Sequence, residues 1–403
     1  MFVTAPGEHG VHRGTVIEMG ERFGSYEIYE ELGAGGLATV HLARTRAVKD
    51  PVALKRLHPH IANVRELVAS FIDEARLARH LRHPGIARVY EFGKLRGIYW
   101  IAFEFVPGPT VLQLKEHCYE YVGRIPVMVV LEIAYQLCDA LDHAHNLCNE
   151  LGHPLGIVHR DVSPSNVIVS ITGQVKLIDF GLAKTKQSTV QSQAGVIKGK
   201  LHYVAPEYLA GGKLDARCDL WALGVVMYEL LTGRRLFDAP EQGEILDRVR
   251  SLPIPSPSRV NPEVPHEVDA IVLKALARDP NQRWQSAGDM RDAIGVAAAG
   301  RLTQRQFVSW VEWVFKQKQP LRREDSGLSA LHEILQSQEI EVVGELPAIS
   351  AAMMDRRRES VAMIPPVGAA MISRRGGRRW GVWLAILLGA AAAGLLAWAL
   401  GAF

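Results

Sequence analysis

The chain has 403 residues, which is more than one ordinary domain needs. Hydrophobic residues make up 48% of it, which is enough for a sizeable core. Its formal net charge is only +3, so no global basic field points to nucleic acid as a partner. The 4 cysteines form no CxxC pair and no zinc-ligand spacing, and we expect them to be reduced, buried thiols of a cytoplasmic domain.

The N-terminal part contains a glycine-rich segment between two predicted strands. Residues 1–24 have neither periodicity nor a signal-peptide pattern, and they are predicted to form a flexible leader. Alternation over 26–32 predicts a strand, and an apolar run follows at 41–43. The segment between them consists of Leu32, Gly33, Ala34, Gly35, Gly36, Leu37, Ala38, Thr39 and Val40. Glycines allow a tight turn whose N–H groups approach phosphates, although a plain hairpin turn would look similar. A dinucleotide-binding turn is disfavoured because a strand, not a helix, follows.

A lysine and two adjacent carboxylates come next. Lys55 ends an apolar strand, a position where a lone lysine is usually a solvated charge. An amphipathic helix over 71–81 then carries Asp73 and Glu74, and its end is predicted at His83-Pro84. The residues expected on its buried face are Phe71, Ala75, Ala78 and Leu81.

The middle of the chain alternates strand and helix signals. Strands are predicted at 86–92 and 98–105, and Pro107-Gly108-Pro109 ends the second. A strong helical pattern covers 127–145. The histidines near the stretch that follows are interpreted as structural; they are His143, His145 and His153.

One stretch concentrates residues that suit phosphate and metal chemistry. It contains His159-Arg160-Asp161, then Asn166, then Asp179-Phe180-Gly181. Apolar segments on either side of Thr172-Gly173 predict a β-hairpin, which would bring Asp161, Asn166 and Asp179 close together. Two carboxylates and an amide offer the oxygen ligands that Mg²⁺ prefers.

In their order and spacing, these motifs resemble the bacterial members of the eukaryotic-like (Hanks-type) Ser/Thr protein kinases. Further matching motifs are Ala205-Pro206-Glu207, a helix that starts at Asp219, and Asp279–Trp284. The resemblance covers 25–297 and implies an α+β, bilobal protein kinase fold with a small β-rich N-lobe and a large helical C-lobe. It also implies that Asp219 hydrogen-bonds the catalytic-loop backbone and that Arg283 pairs with Glu207.

The resemblance assigns roles to the polar residues. Asp161 would accept the proton of the acceptor hydroxyl, and Asn166 and Asp179 would hold Mg²⁺. Lys55 would contact the α- and β-phosphates of ATP. Glu74 would anchor Lys55, with Asp73 as the alternative.

The resemblance also implies a nucleotide pocket between the lobes. The glycine-rich segment would cover the phosphates, with Ala38 in place of the third glycine, and Ala53 would line the pocket. Phe103 would be the gatekeeper, or simply a core residue, and Glu104 to Val106 would offer backbone groups to adenine.

The chain departs from the family pattern in two places. Ser163 stands where the catalytic loop usually has a lysine, and Gly199-Lys200 stands where Ser/Thr kinases usually have Gly-Thr. We hypothesise that the Lys200 ammonium replaces the missing lysine; the alternative is that Lys200 binds substrate or nothing. The resemblance further implies autophosphorylation of activation-segment hydroxyls, for which the candidates are Thr185, Ser188, Thr189 and Ser192.

Residues 298–372 are predicted to form a helical extension and a juxtamembrane linker, with the linker over 320–372. Helical spacing within this region is shown by Phe307, Trp310, Val311, Val314 and Phe315. The uncharged run 380–403 is predicted to be a transmembrane helix, with a buried Ala-rich helix as the alternative. The arginines before it, at 374–379, place their flank in the cytoplasm, so the predicted location is the bacterial inner (cytoplasmic) membrane, single-pass, with the kinase-like domain cytoplasmic. Small residues at 389–394 would allow two such helices to pack closely, so a homodimer is an open alternative.

The sequence therefore predicts a membrane-tethered, ATP- and Mg²⁺-dependent kinase that phosphorylates Ser/Thr hydroxyls of protein substrates and binds no nucleic acid. A pseudokinase or nucleotide-binding scaffold is the alternative from another class, and Ser163 favours it. A small-molecule kinase is disfavoured by the motifs at 205–207 and Arg283.

Overall fold

The structure, a computed structural model, describes residues 21–180, 201–320 except 213 and 299, and 327–339. The candidate phosphorylation sites, Lys200 and the predicted membrane helix 380–403 lie outside these ranges. Among the helices that are described, none has the length and apolar composition needed to cross a lipid bilayer.

The small lobe is an antiparallel sheet with one long helix. Its strands are β1 Glu21–Phe23, β2 Tyr26–Ala34, β3 Ala38–Thr45, β4 Val48–Leu57, β5 Val89–Leu95 and β6 Ile98–Glu104. They lie in the order β1-β2-β3-β4-β6-β5, and helix α1, Arg65–Ala78, follows β4 in sequence. The predicted β-rich small lobe is confirmed.

The register of this sheet places the predicted nucleotide residues on one face. Val40 pairs with Lys55, and Ala53 pairs with Phe103. Paired residues point to the same side of a sheet, whereas neighbours along a strand point to opposite sides. Leu54, fully buried, therefore joins the apolar cluster on the other face, and Lys55 is directed toward the cleft.

The large lobe is mostly helical. Its helices are α2 Val111–His117, α3 Val127–His145, α4 Pro206–Leu209, α5 Arg217–Thr232, α6 Gln242–Ser251, α7 Pro257–Val260, α8 His266–Ala275, α9 Ala287–Ala297, α10 Gln304–Lys316 and α11 Gly327–Glu339. The predicted hairpin is present as β7 Val167–Val169 and β8 Val175–Leu177, antiparallel to each other and packed on α3. Helix α5 is buried along nearly its whole length, and Trp221 in its first half is fully buried.

The region after the predicted kinase domain contains more helix than expected. The apolar spacing at 307–315 is confirmed as α10, in which Phe307 and Trp310 are fully buried. Helix α11 lies in a stretch that was predicted to be a linker, and for these residues the prediction is wrong. Leu331 is buried, and the Trp310 indole Nε1 donates to the Gly327 carbonyl oxygen at 3.2 Å, so α11 packs on α10.

Other boundaries differ for identifiable reasons. Strand β1 falls inside the predicted leader because Phe23 is buried in the sheet cluster. Helix α1 ends at Ala78, yet a bond from the Leu81 N–H to the Ala78 carbonyl continues the turn, and Leu81 stays buried as predicted.

Strand β5 begins at Val89 because the residues before it pair with the large lobe. The Ala87 N–H donates to the Leu177 carbonyl at 3.0 Å, and the Leu177 N–H donates to the Gly85 carbonyl at 2.9 Å. The segment after α1 is thus joined to β8 by a short parallel bridge.

Candidate active site

The centre of the site is an ammonium group shared by two carboxylates. The Lys55 Nζ lies 2.9 Å from Asp179 Oδ1 and 3.3 Å from Glu74 Oε1. Burial disfavours the ammonium form of Lys55, but Asp179 and then Glu74 outweigh it, so the pKa of Lys55 rises. Burial raises the pKa of Glu74 to about 7, since Lys55 offsets only part of the desolvation and Asp179 adds negative charge.

The structure distinguishes the two candidate anchors on α1. The Glu74 side chain is 7% exposed and faces Lys55. The neighbouring Asp73 side chain is 59% exposed and pairs with Arg76 at 3.6 Å on the solvent-facing side of the helix. Of the two, Glu74 is therefore the one beside Lys55.

The loop 158–166 is held from below by a buried carboxylate. Asp219 accepts hydrogen bonds of 2.7 Å from the backbone N–H of His159 and of Arg160, as predicted. His145 Nε2 lies 2.9 Å from Asp219 Oδ2. Burial alone would raise the pKa of Asp219, but the hydrogen bond and charge of His145, with His159, outweigh it and lower the pKa. The contact between His145 and Asp219 was not predicted, although His145 was interpreted as a structural histidine.

Two non-glycine residues of the site adopt left-handed backbone conformations. Arg160 has φ +63° and Asp179 has φ +54°. Such conformations cost free energy and persist only where surrounding contacts impose them. The contacts here are Asp219 below Arg160, and His159, whose ring packs on Phe180 at 4.5 Å and whose Nε2 lies 3.1 Å from the Ile178 carbonyl oxygen.

Asp161 and Asn166 are in direct contact. The Asn166 Nδ2 donates to the backbone oxygen and to Oδ2 of Asp161, both at 2.8 Å. The Asn166 carbonyl accepts from the Ile178 N–H at 2.9 Å, which fixes Asn166 to the strand leading to Asp179. Because the amide nitrogen is bonded to Asp161, the amide oxygen is the Asn166 atom suited to a cation. An amide oxygen and the Asp179 carboxylate are hard oxygen donors, so this pair fits Mg²⁺.

The glycine-rich segment forms a turn between β2 and β3. The Gly35 N–H donates to the Ala38 carbonyl at 2.8 Å, and His58 reaches Gly35 O with its Nε2 at 2.8 Å. Ala38 is 6% exposed and its methyl group faces the protein interior, so replacing the third glycine leaves the turn intact. The cover over the cleft thus has the predicted strand–turn–strand form.

The segment connecting the lobes is anchored at Glu104. Its N–H donates to the Arg88 carbonyl at 2.8 Å, and its carboxylate lies 3.0 Å from Lys176 Nζ. Val106 is buried just beyond it. Phe103 lies at the back of the cleft, with the Lys55 Nζ 5.9 Å from its ring centroid.

The structure also shows the surroundings of Ser163 and of Arg283. Ser163 is 2% exposed, and its Oγ lies 3.1 Å from Ser165 Oγ, so this position carries no cation. Arg283 is buried against Glu207, with both guanidinium–carboxylate contacts at 2.6 and 2.8 Å, which confirms the predicted pair.

We predict that Asp219→Asn lowers the free energy of unfolding at pH 7 by about 2–4 kcal/mol, because an amide cannot accept every bond that the carboxylate accepts. The pKa of Asp219 is lower in the folded state, so its stabilisation is present above the unfolded pKa and is lost as pH falls through the folded value. The gap between wild type and variant, measured by urea unfolding, should narrow below about pH 4. Asp247→Asn, at a side chain 73% exposed, is the control. A gap that stays constant down to pH 3 would contradict the assignment.

Comparison with known proteins identifies a protein family and several relatives over the same part of the chain. A family model described as "Protein kinase domain" matches residues 26–293. PrkC, a serine/threonine-protein kinase of Bacillus subtilis, is 38% identical over 285 residues, which cover 70% of this chain and 42% of PrkC. MasK, a tyrosine-protein kinase of Myxococcus xanthus, is 38% identical over 278 residues, which cover 68% of this chain and 43% of MasK. The chain thus spans less than half the length of these curated relatives.

Solved structures agree with the fold. The PknI kinase domain of Mycobacterium tuberculosis superposes with a TM-score of 0.56 at 29% identity, covering 71% of this chain and 100% of that one. Family match, relatives and fold agree over the same part of the molecule, and the chain belongs to the protein kinase domain family.

Proposed function

We propose that this chain is an ATP-dependent protein kinase that phosphorylates Ser and Thr hydroxyls of protein substrates. The observation that carries the proposal is the contact of Lys55 with both Glu74 and Asp179 across the cleft. A scaffold that only bound partners would have no need of a buried ammonium paired to two carboxylates. The pseudokinase alternative, which Ser163 suggested, is therefore not favoured.

The proposed chemistry is positioning and charge neutralisation. Asp161 accepts the proton of the attacking hydroxyl, and Asn166 fixes its carboxylate through the 2.8 Å bond to Oδ2. Asn166 and Asp179 would hold Mg²⁺, which when bound neutralises charge on the phosphate oxygens. Lys55, oriented by Glu74, binds the α- and β-phosphates.

The nucleotide is proposed to lie beneath the glycine-rich segment 32–40. Ala53 and Phe103 share the sheet face that lines the cleft. The Glu104 N–H is already bonded to Arg88, so the carbonyl of Glu104 and the backbone of Val106 are the groups proposed for adenine.

Autophosphorylation of the segment 182–204 and compensation for Ser163 by Lys200 also remain proposals. Support for the second is chemical: the buried Ser163 hydroxyl supplies no positive charge near Asp161, and the resemblance to the family implies a position beside Asp161 for the basic residue Lys200.

We predict that the purified full chain transfers labelled γ-phosphate from Mg·ATP to itself and to a generic protein acceptor. Asp161→Asn should reduce transfer to background, and Lys200→Ala should lower kcat by about 10²–10³ with little change in the KM for ATP. Phosphoamino acid analysis should yield phosphoserine and phosphothreonine, and mass spectrometry should find phosphate between 182 and 204. Absence of transfer by wild type would overturn the kinase proposal, whereas phosphotyrosine would instead indicate the acceptor named for MasK.

We predict that Glu74→Gln lowers kcat/KM for ATP by about 10–100-fold, because the Lys55 ammonium loses one of its two carboxylate partners. Asp73→Asn is the matched control on the same helix, since its exposed carboxylate faces Arg76, and it should stay within about twofold of wild type. Equal losses in the two variants would show that helix stability, not the Lys55 contact, determines the rate.

We also propose that 380–403 anchors the chain in the bacterial inner membrane with the kinase domain on the cytoplasmic side. Support comes from the sequence alone, as an uncharged run preceded by arginines. Deletion of 373–403 should move the protein from the membrane fraction to the soluble fraction after ultracentrifugation. Retention of the shortened chain in the membrane fraction would contradict the anchor.

A further inference from the structure

We infer that residues 301–316, which lie beyond the part matched by the kinase family model, hold in place the hairpin that carries the proposed metal ligands. We name Arg301, Gln304 and helix α10 the hairpin brace. The hairpin β7–β8, between Asn166 and Asp179, lies inside the part matched by the family model. That match ends at 293, so the brace lies outside it. The consequence for catalysis rests on the proposed function; the contacts themselves do not.

The first turn of α10 touches the tip of the hairpin. The Gln304 Nε2 donates to the Thr172 carbonyl oxygen at 2.5 Å. Gly173 has φ +79°, and a Cβ placed there would lie 2.7 Å from the Val308 Cγ2. The glycine therefore serves both the turn and its close approach to α10.

A chain of hydrogen bonds through the buried Glu132 makes the second connection. Arg301 donates to Glu132 of α3 from Nε at 3.0 Å and from Nη2 at 2.6 Å, and the Glu132 carboxylate is 4% exposed. Glu132 Oε1 also accepts from the Gln136 Nε2 at 2.8 Å. Gln136 Oε1 in turn accepts from the backbone N–H of Val175, the first residue of β8, at 2.9 Å.

The other end of α10 is fixed to the last residue of α2. His117 Nε2 lies 3.0 Å from the carbonyl oxygens of both Val314 and Gln317. His117 ends α2, the helix that begins just after Pro109, and Pro109 accepts from the Val169 N–H of β7 at 2.9 Å. Helix α10 therefore spans from the hairpin tip to the element that follows the interlobe connection.

The hairpin needs external support because it is short. Each strand has 3 residues, and an isolated two-stranded hairpin is marginally stable at best. Its ends lead directly to Asn166 and Asp179, so loosening the tip increases the motion of both proposed ligands. The brace thus acts on these residues by positioning them, without contacting nucleotide.

The test compares two identical substitutions, one at the first residue of α10 and one at the residue that follows its last turn. Gln304→Ala removes the bond to the hairpin tip, and Gln317→Ala removes a bond of the same kind, from Gln317 Nε2 to the Trp313 carbonyl at 2.9 Å, at the other end. In the full chain without nucleotide, hydrogen exchange of amides 167–177 should be about fivefold faster in Gln304→Ala and unchanged in Gln317→Ala. Arg301→Gln should accelerate the same amides, with a larger loss of melting temperature because Glu132 is left buried without its cation.

Binding of a fluorescent ADP analogue, titrated with Mg²⁺, gives the functional readout. Gln304→Ala should raise the Mg²⁺ concentration for half-saturation by about three- to tenfold, with Gln317→Ala matching wild type. Hairpin exchange that is the same in wild type and both glutamine variants would overturn the brace. Wild type that shows no Mg²⁺-dependent nucleotide binding would overturn the proposed function instead, and the exchange comparison would still decide the inference.

Discussion

The site depends on keeping one ammonium group charged inside a protein. Lys55 is largely removed from water, which alone would favour its neutral form, and two carboxylates from different parts of the chain reverse that preference. Asp179 comes from the large lobe and Glu74 from the helix of the small lobe. A charge balance of this kind requires both lobes to be correctly placed, because removing either carboxylate leaves a buried charge only partly compensated.

The large lobe also keeps a buried group charged, but there the charge is negative. Asp219 is a fully buried carboxylate, and it is kept ionised by His145 and by two backbone N–H groups of the loop it supports. Those N–H groups belong to His159 and Arg160, so the buried charge and the left-handed backbone at Arg160 occur at one place. Packing of the large-lobe core thus holds Asp219 in place, and Asp219 in turn holds the loop backbone that positions Asp161.

Much of this arrangement could be predicted from the sequence because the informative residues are close together along the chain. Asp161, Asn166 and Asp179 flank a hairpin whose turn and apolar strands are local signals. The choice of Glu74 over Asp73 came from the resemblance to the kinase family, and the structure agrees with it. The His145–Asp219 contact, in contrast, joins residues 74 positions apart, and nothing in the local pattern around either residue indicates it. The relay through Arg301, Glu132 and Gln136 was missed for the same reason. Helix α11 was missed although Leu328, Leu331, Ile334 and Leu335 have helical spacing, because the surrounding stretch 320–372 has mixed composition and was interpreted as a linker.

The parallel bridge between Ile86 and Leu177 has a mechanical consequence. It fastens the chain just after α1 to the large lobe, while the start of α1 is joined to β4 of the small-lobe sheet by the connection 58–64. A rotation of the sheet relative to the large lobe therefore moves the two ends of α1 by different amounts and tilts the helix axis. Glu74 lies in the C-terminal half of that helix. The distance between its carboxylate and the Lys55 ammonium therefore depends on the angle between the lobes.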